Sequence, residues 1–136
     1  MFFEDFVLRQ IAQAVMVMAK ILGLSKSGNY QEAYALIDQA ISELIGLDAI
    51  IVKQMDDVGL IDLLTNSQGI DCGKVYILAE LFKVEGDVLS DQGRNEESRS
   101  SYQRALMLYY QYAEQCPDGL TKEVQEKVKS LEKEIL

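Results

Sequence analysis

Gly28-Asn29-Tyr30-Gln31-Glu32-Ala33, followed by Ile37 and Ala40-Ile41, has a counterpart 65 residues later: Gly93-Arg94-Asn95-Glu96-Glu97-Ser98, followed by Tyr102 and Ala105-Leu106. Each copy places a small residue early in a helical run, a large residue four positions on, and then a small–large pair. Residues three and four apart share one face of a helix. The small ones let an antiparallel helix approach closely, and the large ones fill the groove between the two. A chain that repeats this pattern is expected to be built from helical hairpins.

The surrounding sequence supports that reading. From Phe3 to Leu24, apolar residues at Val7, Ile11, Ala14, Met18 and Ile21 mark one helix face. A second row, Leu8, Val15 and Leu22, predicts that this helix is covered on more than one side. Ser25 to Gly28 break it, and Asn29 with Glu32 has the spacing of a capping box for the next helix, which Gly46 ends. Leu47 to Lys74 is the least regular stretch, with a short helix through Leu60 to Leu64 capped by Asp56 or Asp57. The segment from Cys72 to Ser90 is apolar nearly all round and is expected at the centre of the core. Asn95 is expected to cap the following helix, which Cys116-Pro117-Asp118-Gly119 ends. A last helix from about Thr121 carries the narrow stripe Val124, Val128, Leu131 and Ile135.

The repeat resembles the tetratricopeptide family. The offset is close to twice that family's period of roughly 34 residues. Phe82, Gly86 and Leu89 stand where its first helix usually has an aromatic, a small residue and an aromatic, and Val17, Ile21 and Leu24 fill those places in the first copy. Ser98 replaces the usual alanine and Leu89 the usual tyrosine. The layout is also similar to a bacterial family of small tetratricopeptide-like proteins with no assigned function. The resemblance implies an all-α fold of about six helices in a short right-handed array. The expected parts are a first hairpin at about 4–46, a connecting segment with a short helix at 47–71, a second hairpin at about 72–116, and a closing helix at 119–136.

Composition narrows the function. With 13 Lys and Arg against 22 Asp and Glu, the formal charge is −9, and the lysines near the C-terminus alternate with glutamates. Such a surface repels phosphate backbones and anionic headgroups, so neither nucleic acid nor membrane is an expected partner. There is no histidine, which removes the commonest general base and metal ligand. Cys72 and Cys116 lie far apart outside any metal-binding spacing, and reduced structural thiols are expected. No basic leader precedes the apolar part of the first helix, and the expected location is cytoplasmic.

Loop motifs fail on inspection. Gly69-Ile70-Asp71-Cys72-Gly73-Lys74 is one residue short of a phosphate-binding loop, and Val75 stands where a hydroxyl should hold magnesium. Asp91 to Asn95 resembles a calcium loop, but Arg94 puts a cation in it and Glu96 stands where it needs glycine. Ser130-Leu131-Glu132-Lys133 has a hydrolase spacing but lies on a charged helix. No catalytic residue, cofactor or metal site is therefore expected. Repeat position assigns Val15, Met18 and Leu22 to an apolar groove, with Lys83 and Asp87 among the polar residues of the second copy. Either the segment 47–74 or another chain is expected to cover the groove, the segment being favoured because it needs no association entropy. Tyr110 points away from the packing face of its helix and is a candidate contact residue. The expectation is a non-enzymatic scaffold that binds a protein partner or itself, as a homodimer. The alternative is a regulator with a small-molecule or metal pocket between the hairpins.

Overall fold

The computed structural model describes residues 2–116 and 121–135, with side chains from Leu8 onward. The fold is all-α. In chain order it comprises α1 (Phe2–Lys26), α2 (Tyr30–Ala40), a π-helical turn (Ile41–Ile45), α3 (Ala49–Gln54), α4 (Asp57–Leu63), α5 (Cys72–Asp91), α6 (Asn95–Gln115) and α7 (Lys122–Ile135). Between α4 and α5, β1 (Thr65–Asn66) and β2 (Gly69–Ile70) form a small antiparallel ladder. Among the described residues no helix is long and apolar enough to cross a membrane. The side chain of Val7 and the break at Pro117-Asp118-Gly119, which falls where the closing helix was expected to begin, lie outside the described residues.

The internal repeat is visible in the backbone. At the end of α1, Asn29 N–H donates to Leu24 O and Gly28 N–H to Ser25 O; at the end of α5, Arg94 N–H donates to Leu89 O and Gly93 N–H to Ser90 O. Both are the six-to-one and five-to-two bonds of a Schellman stop. Each needs a left-handed residue, and Gly28 (φ 80°) and Gly93 (φ 82°) supply it. The two turns touch. Ser25 Oγ donates to Asp91 Oδ2 (2.7 Å), Lys26 Nζ to Asp91 Oδ1 (3.2 Å) and the Tyr30 hydroxyl to Asp91 O (3.1 Å).

The caps differ from expectation. Neither Asn29 nor Asn95 caps with its side chain, and the residue before α6 is Arg94. The Schellman turn leaves the cap residues at ψ 63° and 71° rather than in the extended backbone from which a side chain reaches the free N–H groups. Aspartates cap three other helices, Asp56 among them as the sequence predicted. Asp48 Oδ1 accepts from Ile50 N–H (2.8 Å), Asp56 Oδ1 from Gly59 N–H (2.7 Å) and Asp71 Oδ1 from Lys74 N–H (3.2 Å). The segment resembling a phosphate-binding loop is thus a hairpin strand running into the capped start of α5.

α5 is the central helix, packed against α1, α2 and α6. Val75, Ile77, Leu78, Ala79, Leu81, Phe82, Val84 and Val88 are all buried, which no single-sided helix would allow. Its closest partner is α6, and Gly86 is why the two fit. A Cβ on Gly86 would stand 2.5 Å from ring carbons of Tyr102.

The cysteines are corrected. Cys72 and Cys116, 44 residues apart, form a disulfide with their Cα atoms at 5.9 Å. An antiparallel hairpin brings the start of its first helix beside the end of its second, so distance along the chain was no guide.

Candidate functional site

Two surfaces qualify as sites: a charged cleft between the hairpins and the outer face of α1.

The cleft encloses about 560 Å³ between Tyr34 of α2, Lys53 of α3, Phe82, Glu85 and Leu89 of α5, and the first half of α6. Lys53 Nζ bridges Asp38 Oδ1 (2.6 Å) and Glu85 Oε2 (2.7 Å). Burial works against the Lys53 charge, but Glu85 and Asp38 outweigh it and its pKa rises. The other oxygen of Glu85 accepts from Ser101 Oγ (2.9 Å). Arg104 of α6 lies over the Phe82 ring, 4.8 Å from its centre. Its guanidinium donates to the carbonyls of Val52 (3.2 Å), Lys53 (3.1 Å) and Met55 (2.7 Å), at the open C-terminal end of α3. Burial lowers its pKa. At the rim, Arg94 pairs with Glu97, and the Tyr34 hydroxyl donates to Gln92 Oε1 (2.6 Å).

These groups hold the protein together. Lys53 and Arg104 fasten α3 and α4 to α2, α5 and α6, and among the described residues no buried side-chain nitrogen or oxygen lacks a partner. Nor does any group of three or more His, Cys, Asp or Glu converge as metal ligands among them. Sequence reading singled out none of Lys53, Glu85 or Arg104, because their pairing spans up to 52 residues and follows no local spacing.

A second polar cluster closes the far end. Lys127 of α7 donates to Glu80 and to the Tyr76 hydroxyl (2.8 Å), and Tyr109 donates to Glu80. Burial, then Glu80, holds the Tyr109 hydroxyl far above the usual phenol range. Burial opposes the Lys127 charge as well, but Glu80 and Tyr76 more than compensate and raise its pKa. This cluster seats α7, whose Val124 and Leu131 are buried.

The sequence-derived contact residues separate. Met18 is corrected: it is buried and belongs to the core, because it shares the inward face of α1 with Ala14 and Ile21. Leu22 is half-buried. Lys83 pairs with Asp87 (3.0 Å), whose other oxygen accepts from the Tyr102 hydroxyl (2.5 Å). Tyr110 is 45% exposed beside Leu106, Met107 and Ile135. Val15 is 55% exposed, and so the expected covering of its row by segment 47–74 does not occur. That segment is held instead on the α2 and α6 side by Lys53 and Arg104.

Leu8 (63%) and Met16 (74%) are exposed with Val15. Between α1 and α2 with its π-helical turn, Met16, Val17, Leu36 and Leu44, together with Gln39 and Glu43, line a groove of about 370 Å³. Ile50, Ile51 and Val58 are exposed on α3 and α4. The row Leu8–Val15 was legible in the sequence; that it faces outward was not.

Compared with protein-family models, with curated proteins and with solved structures, the chain has no significant match.

Proposed function

We propose that this protein is a non-enzymatic, tetratricopeptide-like interaction module that presents α1 to a protein partner. The observation that carries the reading is the trio Leu8, Val15 and Met16. Large apolar side chains exposed together on one helix are a feature of interaction surfaces, whereas Lys53, Glu85 and Arg104 of the cleft are already paired internally. The tetratricopeptide-like part of the proposal is supported by the matching Schellman turns at Gly28 and Gly93 and by the Gly86–Tyr102 approach.

The cleft favours a second reading, a regulator that takes a small molecule between the hairpins. One experiment separates them. The tagged chain is used to capture partners from its own cell lysate, alongside Met16→Ser on α1 and Arg94→Ala at the cleft rim. The interaction reading expects a partner that Met16→Ser loses and Arg94→Ala keeps. A thermal-shift screen in which a metabolite stabilises the wild type but not Arg94→Ala would replace it with the second reading.

The expected cytoplasmic location belongs to this reading only for the reduced form. Disulfides persist in oxidising compartments and are rare in the cytosol. Alkylation of free thiols at the moment of lysis, followed by mass measurement, decides which form the cell holds.

A further inference from the structure

We propose that the exposed face of α1 docks an acidic amphipathic helix of a partner protein. This rests on the interaction reading and names the partner's chemistry. Leu8, Ala12, Val15 and Ala19 follow one another at steps of four and three, and Gly23 continues the row; all five are exposed. That spacing is the seam by which one helix packs along another at a shallow angle, with small residues allowing close approach. Met16 stands beside the seam. At 100° per residue, Arg9 and Lys20 fall together on the same edge, about three turns or 16 Å apart.

The charge along α1 from Leu8 onward is the reverse of the molecule's, with Glu43 the acidic residue across the groove from Met16. The chain carries −9, yet from Leu8 to Lys26 there is no acidic residue. Lys53, Lys74, Lys83, Arg94, Arg104 and Lys127 each have a carboxylate partner. Arg9 and Lys20 are exposed and have no carboxylate partner among the described residues, as is also true of Arg99 on α6 and of Lys122, Lys129 and Lys133 on α7. An apolar seam with exposed cations along one edge is complementary to a helix with its own apolar seam and carboxylates beside it.

Other occupants fit less well. A twofold antiparallel pairing of two α1 helices would bring both basic edges to the same side, where Arg9 of one copy meets Lys20 of the other. An anionic bilayer would attract Arg9 and Lys20 but repel the rest of an acidic chain. A seam half made of Ala and Gly also offers little to insert.

The test uses the full chain and two synthetic helical peptides with leucines at three–four spacing. One is flanked by glutamates eleven residues apart and the other by lysines in the same places. Fluorescence anisotropy at low salt is expected to show the glutamate peptide binding, and binding should weaken as salt is raised. Arg9→Glu with Lys20→Glu, both at exposed positions, should weaken that peptide about tenfold or more and turn preference to the lysine peptide. Met16→Ser should weaken both peptides, and circular dichroism should show unchanged helicity for every variant.

Failure of the glutamate peptide to bind overturns the proposal, as does binding that the double charge reversal leaves unchanged. A doubled solution mass lost with Met16→Ser would identify a second copy as the occupant and also overturn it. Sedimentation with phosphatidylglycerol vesicles, abolished by the charge reversal, would assign the face to lipid. If the peptide fails but a lysate partner is still lost with Met16→Ser, only the partner's chemistry is wrong and the interaction reading stands.

Discussion

The α1–α2 and α5–α6 hairpins end their first helices with the same turn, drawn by the same two backbone hydrogen bonds, and yet they occupy opposite places in the molecule. α5 is enclosed by α1, α2 and α6. α1 is enclosed on one side only, with Ala14, Met18 and Ile21 inward and Leu8, Val15 and Met16 outward. Local geometry therefore repeats while burial does not. The second hairpin is also stapled by Cys72–Cys116, closed by α7 and fitted through Gly86, none of which the first possesses. One unit is built as core and the other as surface.

The comparison breaks most directly at equivalent positions. Phe82 is buried beneath Arg104, and its counterpart Val17 is half-buried. Phe82→Ala is expected to cost about 3–5 kcal/mol and Val17→Ala about 1 kcal/mol, by the usual loss for truncating core and boundary side chains. Urea unfolding of both variants checks this, and equal losses would mean that the hairpins are equally packed.

Reducing Cys72–Cys116 releases a loop with no counterpart in the first hairpin. The expected loss is about 2–4 kcal/mol, from the chain entropy returned to the unfolded state. Urea midpoints with and without dithiothreitol, repeated on Cys72→Ser with Cys116→Ser, provide the measurement.

Alkali should reach the second hairpin through its tyrosines. Tyr109, Tyr102 and Tyr76 all have raised pKa values, first through burial. A raised folded pKa favours the folded state fully below the unfolded value of about 10 and ever less as pH rises toward the folded one. Lys127 acts in the same direction. Stability should thus fall above about pH 10, by about 1.4 kcal/mol per pH unit for each tyrosine kept protonated. Tyrosinate absorbance followed with helicity should show a late step coincident with unfolding. Ionisation of all seven tyrosines with helicity intact would show that Tyr109 is not sealed.

The smallest effects come from two helical glycines. Gly86→Ala meets Tyr102 and should destabilise by about 1–3 kcal/mol despite the better helix propensity of alanine. A Cβ on Gly23 has nothing within 4 Å, so Gly23→Ala should stabilise by up to about 1 kcal/mol. Thermal melts of the pair test whether close helix approach is confined to the second hairpin.

Much of the fold was legible because it is local. Apolar spacing located the long helices, Gly28 and Gly93 located their stops, and the closing helix followed from its narrow stripe. The candidate site was only partly legible. Periodicity located the row Leu8–Val15 and set Met18 on the face of Ala14 and Ile21, but repeat position placed Met18 with Val15 in the groove, and these two lie on different faces with respect to the core. The segment 47–74 resisted because its helices are too short for a periodic signal, and Arg104, the residue that fixes them, lies about fifty residues away.

The long helices, their glycine stops and the recurrence of one turn were thus determined by the sequence alone, since each depends on residues within a turn or two of one another, whereas α3 was not foreseen. Which hairpin became core and which kept an open face was decided only in three dimensions. So were the joining of Cys72 to Cys116 and the pairing of Lys53 with Glu85. Burial and charge pairing depend on what arrives from far along the chain, and a local pattern records only that a helix has two faces.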